Sequence, residues 1–143
     1  MGNMFNGCKS LTSIDLSSFD TSNVVAMSSL FDGCSSLTNL NLSNFNTSKV
    51  TNMEWMFQGC TNLIALDLSS FDTSKVTTMY VMFFQCHNLK TIYVSDLWNI
   101  SNVTSASRMF EGCTSLKGAV PYDSSKTDAS MANYINGYLT KKL

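Results

Sequence analysis

Residues 56–81 read MFQGCTNLIALDLSSFDTSKVTTMYV, and this stretch decides the fold. It divides into two parts with different periods. In Leu63-x-x-Leu66-x-Leu68 the last two leucines alternate around Asp67, the period of a short strand with one buried face. The preceding copy of the second part places Val50, Met53, Met56, Phe57 and Cys60 at steps of three and four. That spacing predicts a short helix, with Ser48 as its N-cap and Gly59 as its C-terminal stop. One unit is therefore expected to be a strand, a turn through Phe-Asp-Thr-Ser, and a short helix or helical turn.

The unit recurs along the chain. Cys8, Cys34, Cys60, Cys86 and Cys113 are separated by 26, 26, 26 and 27 residues. A phenylalanine stands three residues before each (Phe5, Phe31, Phe57, Phe83, Phe110) and a leucine three after (Leu11, Leu37, Leu63, Leu89, Leu116). Self-similarity at such a period is the signature of stacked repeats, and LTSIDL, LTNLNL and LKTIYV complete a Leu-x-x-Leu-x-Leu core typical of leucine-rich repeats. A lone coil cannot offset its own ordering entropy, so stacking on neighbours must carry the stability. The expectation is an α/β fold: a right-handed, leucine-rich-repeat-like solenoid of five coils, with short parallel strands on one face and short helices on the other.

Boundaries lie where the period fails. Residues 1–117 form the repeat array, its first coil truncated at the N-terminus, and residues 118–143 form a C-terminal cap. The cap segment holds the only proline and three of the five tyrosines, Tyr122, Tyr134 and Tyr138. The single spacing of 27 is assigned to an insertion at Ile100. MGNMFNGC has neither the basic start nor the apolar run of a signal peptide and opens in mid-repeat, as an excised piece of a secreted parent would. Residues 1–7 cannot fully cover the first coil, so self-association through that end is expected.

Nine basic residues against ten acidic ones leave a net charge of −1, which gives no electrostatic footprint for nucleic acid. No run approaches the ~18 apolar residues of a membrane span, so membrane insertion is not expected. Ser, Thr and Asn carry most of the polarity, which suits short-range hydrogen-bonded contacts.

The units MFNGCKSLTSIDLSSFDTSNV and MFQGCTNLIALDLSSFDTSKV resemble the repeat of bacterial surface proteins called BspA-like. The resemblance covers residues 3–117 and extends into the tail through YDSSKTDASMAN and GYLT. It implies an extracellular module of a larger secreted or wall-anchored protein, associated with adhesion to host or matrix proteins. Leu30, Gln85, Asn41 and Asn46 depart from the usual Met, Gly and Asp of the pattern. No family ligand motif carries over residue by residue.

Each chemical candidate has a structural counterpart. The odd cysteine count, one per coil, argues against disulfides and for an inward column of free thiols; an in-line column does not converge on a metal. His87 adjoins Cys86 but is expected on the opposite side, so no nucleophile–base pair is expected. The columns Asp15, Asn41, Asp67 and Asp20, Asn46, Asp72 suit turn capping better than Ca²⁺. Thr21, Thr47 and Thr73, with the serines next to them, are also assigned to capping. In the fourth coil Tyr93 and Trp98 interrupt the acidic columns, and Phe84 stands where other coils carry polar residues. Tyr93, Trp98 and Phe84, with Asp67 and Asp72, are the candidate binding residues on the strand face; the competing reading packs Trp98 and Phe84 under the cap. No catalytic, cofactor-binding or metal-binding residue is identified. The expected function is a non-catalytic module at a bacterial cell surface that binds a host or matrix protein or a glycan. The alternative is a spacer with no ligand of its own.

Overall fold

The sequence period becomes a spatial one in the computed structural model, which describes residues 1–143. Backbone N–H groups of each coil donate to carbonyls of the next, as in Phe5 to Leu30, Phe31 to Met56, Phe57 to Met82 and Phe83 to Met109, at 2.9–3.0 Å. The rings of Phe5, Phe31, Phe57, Phe83 and Phe110 run along this ladder as one stack, with centroids 5.6–5.8 Å apart. A second, shorter stack joins Phe45 to Phe71. The buried apolar residues form one continuous core from Leu16 to Leu139.

The expected α/β architecture, with helices on one face, is overturned: there is no α-helix, only one turn of 3₁₀ helix at Ala129–Met131. The hydrogen-bond pattern around Val50, Met53, Met56, Phe57 and Cys60 gives the reason. Helix requires each N–H to bond four residues back. Here the N–H groups of Met53, Trp55, Phe57 and Gly59 leave the coil for Thr78, Tyr80, Met82 and Phe84. The alternate N–H groups of Met56, Gln58 and Cys60 bond three residues back, to Met53, Trp55 and Phe57. A run of tight turns knitted to its neighbours thus produces the same three-residue apolar step that a helix would. The turns need left-handed backbone at Gly7, Gly33, Gly59 and Gly112, and at Gln85 in the coil that lacks the glycine. Ser48 is a turn residue rather than a helix cap, its N–H bonded to the Asn46 side chain.

The strand side is also sparser than expected. Strands form at β1 (Ala65–Asp67), β2 (Thr91–Val94) and β3 (Thr140–Lys141), in one parallel sheet of order β1-β2-β3. The first two coils contribute none, and β3 comes from the C-terminal segment, not from a coil. The fifth coil turns away at Lys117, which forms an antiparallel bridge to Pro121. Tyr138 and Leu139 then cross so close to Gly118 that any side chain there would collide with their backbone. Gly118 is the residue that lets the C-terminal segment lie against the stack.

Register also relocates the extra residue. Asp67 pairs with Tyr93, a step of 26. The turn closed from Phe71 to Leu68 reappears from Trp98 to Ser95, and the one from Val76 to Thr73 reappears from Val103 to Ile100. The insertion therefore lies between Tyr93 and Trp98, and Ile100 occupies the position of Thr73.

Candidate functional site

The five candidate binding residues do not form one site. Trp98, once the register is corrected, continues the inward column Phe19, Phe45, Phe71 rather than the acidic one. It is only 9% exposed, and its Nε1–H donates to the Ala132 carbonyl at 3.1 Å. The ring is buried against the C-terminal segment and is not a surface group. Asp67 is engaged as well: its carboxylate pairs with Lys142 and accepts the Ser69 N–H. Burial raises the Asp67 carboxyl, but the Lys142 and Ser69 bonds outweigh it and hold its pKa below the usual value. Tyr93 is 36% exposed on β2, between β1 and β3. Phe84 lies on the turn side, covered by the Arg108 guanidinium 4.8 Å from its ring centre.

Asp72 and its column close local turns. Asp15, Asn41 and Asp67 accept the N–H of Ser17, Ser43 and Ser69; Asp20, Asn46, Asp72 and Asn99 accept those of Ser22, Ser48, Ser74 and Ser101. These are Asx turns, in which the side chain imitates a backbone turn. The bonds from Ser22 and Ser74 lower the pKa of Asp20 and Asp72.

The threonine column does something the sequence did not suggest. Thr21, Thr47 and Thr73 are fully buried. Their hydroxyls donate to the carbonyls of Asn46, Asp72 and Asn99 in the next coil at 2.9–3.1 Å. Thr21 and Thr73 also accept, from the N–H groups of Asn46 and Asn99. A buried hydroxyl satisfied both ways rivets adjacent coils at the corner where the chain leaves the strand side. The sequence signal was the exact recurrence of Thr where Ser would cap equally well.

The thiols form a parallel device. Cys34, Cys60, Cys86 and Cys113 donate to the carbonyls of Phe5, Phe31, Phe57 and Phe83 in the preceding coil at 3.0–3.2 Å. Burial pushes their pKa values up, to about 11 at Cys34 and about 12 at Cys113, which keeps the donating proton in place. Cys8, in the first coil, is half-buried and free. His87 faces outward, its Nδ1 3.1 Å from the Gly112 carbonyl.

What the structure does bring together is a cluster on the turn side. Trp55 and Tyr80 meet edge to face at 6.0 Å. Arg108 lies over Phe84, pairs with Glu111 at 2.7 Å and is held in its charged form by Glu111 first and then by Tyr80. Trp55 is 38% exposed although its backbone is left-handed, at φ 61°, a conformation unfavourable for a bulky side chain. Equivalent residues on the turn side also lie 26 apart, as Asn52 and Thr78 do, so Trp55, Tyr80 and Phe84 stand in three different repeat columns and no single column marks the group. Separately, the C-terminal segment carries an open groove of ≈ 870 Å³ lined by Tyr122, Asp123, Lys126, Ser130, Met131 and Asn136 among others.

Neither a curated protein nor a solved structure shows significant similarity to this chain. A family model does: the one described as "Mycoplasma protein of unknown function, DUF285" matches residues 1–124, the whole repeat array and the start of the segment after it. By that match the chain belongs to the DUF285 family.

Proposed function

We propose that the chain is a non-catalytic recognition module of a bacterial cell-surface protein, and that it binds a protein partner through the Trp55–Tyr80–Phe84–Arg108 cluster. The carrying observation is that cluster: aromatic and guanidinium groups from three successive coils, partly exposed and in contact with one another. Trp, Tyr and Arg dominate the energetics of protein interfaces because each contributes a large contact area with a directional polar group. The resemblance to BspA-like surface repeats supports an extracellular setting and an adhesive role. The strand face is the weaker candidate, because Asp67 is paired and Trp98 is buried.

A spacer role is favoured by a different observation. Buried Thr and Cys bonds join successive coils, the construction of a stiff rod. One experiment separates the two readings. The native chain and a Trp55→Ser/Arg108→Ser variant are immobilised and exposed to a panel of purified matrix and host-surface proteins and to a glycan array. Binding of one protein by the native chain, weakened ~30-fold or more in the variant, supports the proposal; each side chain of a hot spot is worth ~2 kcal/mol. Glycan binding, or protein binding that the variant retains, refutes the assigned partner or site. No binding at all supports the spacer.

A further inference from the structure

We propose that Asn136 is a site of spontaneous modification: its side-chain amide is lost through a succinimide formed with Gly137, and the isoaspartyl product loosens the C-terminal closure of the stack. The step needs a free side-chain amide, a free backbone N–H on the next residue, and no Cβ on that residue to hinder attack. The chain has two Asn-Gly pairs, Asn6–Gly7 and Asn136–Gly137, and both meet the last condition. Only one meets the other two. Gly7 N–H donates to the Asp32 carbonyl at 2.7 Å, and Asn6 Nδ2 donates to Asn3 Oδ1 at 3.1 Å. At the second pair Gly137 N–H has no acceptor in the protein. Asn136 bonds only through its backbone N–H, to Asn133 Oδ1 at 2.9 Å, which leaves its side-chain amide free. Its neighbour Ile135 is 79% exposed, and Asn136 itself lines the open groove of the C-terminal segment, so water reaches the reacting amide.

The chemistry needs only water. Solvent hydroxide takes the Gly137 amide proton, and the nitrogen attacks Asn136 Cγ. A new N–Cγ bond replaces the Cγ–Nδ2 bond, and ammonia leaves. Water then adds to one of the two ring carbonyls. Opening the N–Cγ bond gives an aspartate on the original backbone. Opening the bond between Gly137 N and the Asn136 backbone carbonyl carbon instead routes the chain through Cβ and Cγ, which lengthens it by one methylene.

That longer product meets a chain with no slack. A Cβ on Gly137 would stand only 2.3 Å from the Met131 carbonyl oxygen and 2.6 Å from that of Asn133. The Gly137 carbonyl accepts the Val120 N–H at 3.3 Å, and the next residue is Tyr138, fully buried with its ring against Phe110. An extra backbone atom at position 136 therefore displaces the ring that ends the phenylalanine stack.

The test ages the full chain in mildly alkaline buffer, folded and in guanidinium, and follows both Asn-Gly pairs by peptide mass spectrometry. In the folded chain Asn136 is expected to convert about tenfold faster than Asn6 or more, because Gly7 must first leave its bond to Asp32; in guanidinium the two rates should converge. The aged native chain should melt at a lower Tm, while an aged Asn136→Gln variant, whose longer side chain closes a ring far more slowly, keeps its Tm. Freshly prepared Asn136→Asp carries the new charge on the ordinary backbone and should melt with the native chain. Conversion of Asn136 no faster than Asn6 in the folded chain would overturn the proposal, as would an aged chain that contains isoaspartate yet melts like the fresh one. So would an Asn136→Asp variant that melts as low as the aged chain, because charge rather than the lengthened backbone would then be the cause.

Discussion

The two ends of the stack are built from the same repeat and reach opposite states. At the N-terminal end the first-coil column Phe5, Cys8, Leu11, Ile14 stays partly exposed. At the other end Phe110, Cys113 and Leu116 are buried to within 1%. The difference lies in the irregular segment beyond Leu116. Tyr138 sets its ring edge-on against Phe110 at 5.3 Å, ending the parallel ring stack with a perpendicular one. Its hydroxyl accepts the Asp123 N–H and lies within hydrogen-bonding distance of the Asp123 and Lys126 carbonyls. Thr127 and the Tyr122 hydroxyl take up the N–H groups that a sixth coil would have received. Tyr134 and Lys141 hold Asp96, and Lys142 holds Asp67, at the exposed rim, where ion pairs contribute little. A repeat end is therefore closed by a few irregular groups that satisfy its specific orphans, and apolar cover alone would not do this.

The largest test of that difference is Tyr138→Ala. It should cost about 3–5 kcal/mol, as for other fully buried aromatics, and denaturant unfolding should show it as a lower midpoint. Tyr138→Phe keeps the ring and loses the hydroxyl bonds, so a cost of about 1–3 kcal/mol is expected. If the phenylalanine variant is as stable as the native chain, the hydroxyl is not closing that end.

One substitution made at two heights in the stack sharpens the contrast. Phe57→Ala in the third coil removes a ring packed on both faces and should cost about 3–5 kcal/mol. Phe5→Ala removes one packed on a single face at the open end and should cost less than half as much. Equal losses would mean that the ends are not energetically distinct.

Alkaline pH probes the thiols. Burial raises their folded-state pKa from 9.0 to about 11 at Cys34 and to about 12 at Cys113. Above the unfolded value the unfolded chain releases these protons while the folded chain keeps them, so fewer protons are bound in the unfolded state and stability falls as pH rises. Their contribution is intact below pH 9 and is lost as the pH climbs through about 11 and 12. Unfolding midpoints measured from pH 8 to 11 should decline, and a Cys34→Ala/Cys113→Ala variant should decline less steeply.

The smallest expected effect is a gain. Gln85 occupies the left-handed turn position, at φ 63°, that glycine fills in the other four coils. Gln85→Gly should stabilise the fourth coil by about 1 kcal/mol, visible as a higher unfolding midpoint. A loss would mean that the Gln85 side chain contributes packing against Gly112, which lies beside it.

Sequence alone was enough for the period and the core. The Phe, Cys and Leu of each unit recur in register, and residues that recur in register can share one core only by stacking. The Asx turns were legible too, because Asp or Asn with Ser two residues later is a local pattern whose hydrogen bond closes within the segment. The remainder was settled by tertiary contacts, for one physical reason: a three-residue apolar step is common to a helix and to a run of turns. Whether an N–H bonds within its coil or to the next depends on a neighbour some 25 residues away, and that choice replaced the expected helices. The same long-range register placed the extra residue before Trp98, turned that ring inward, and brought Trp55 beside Tyr80.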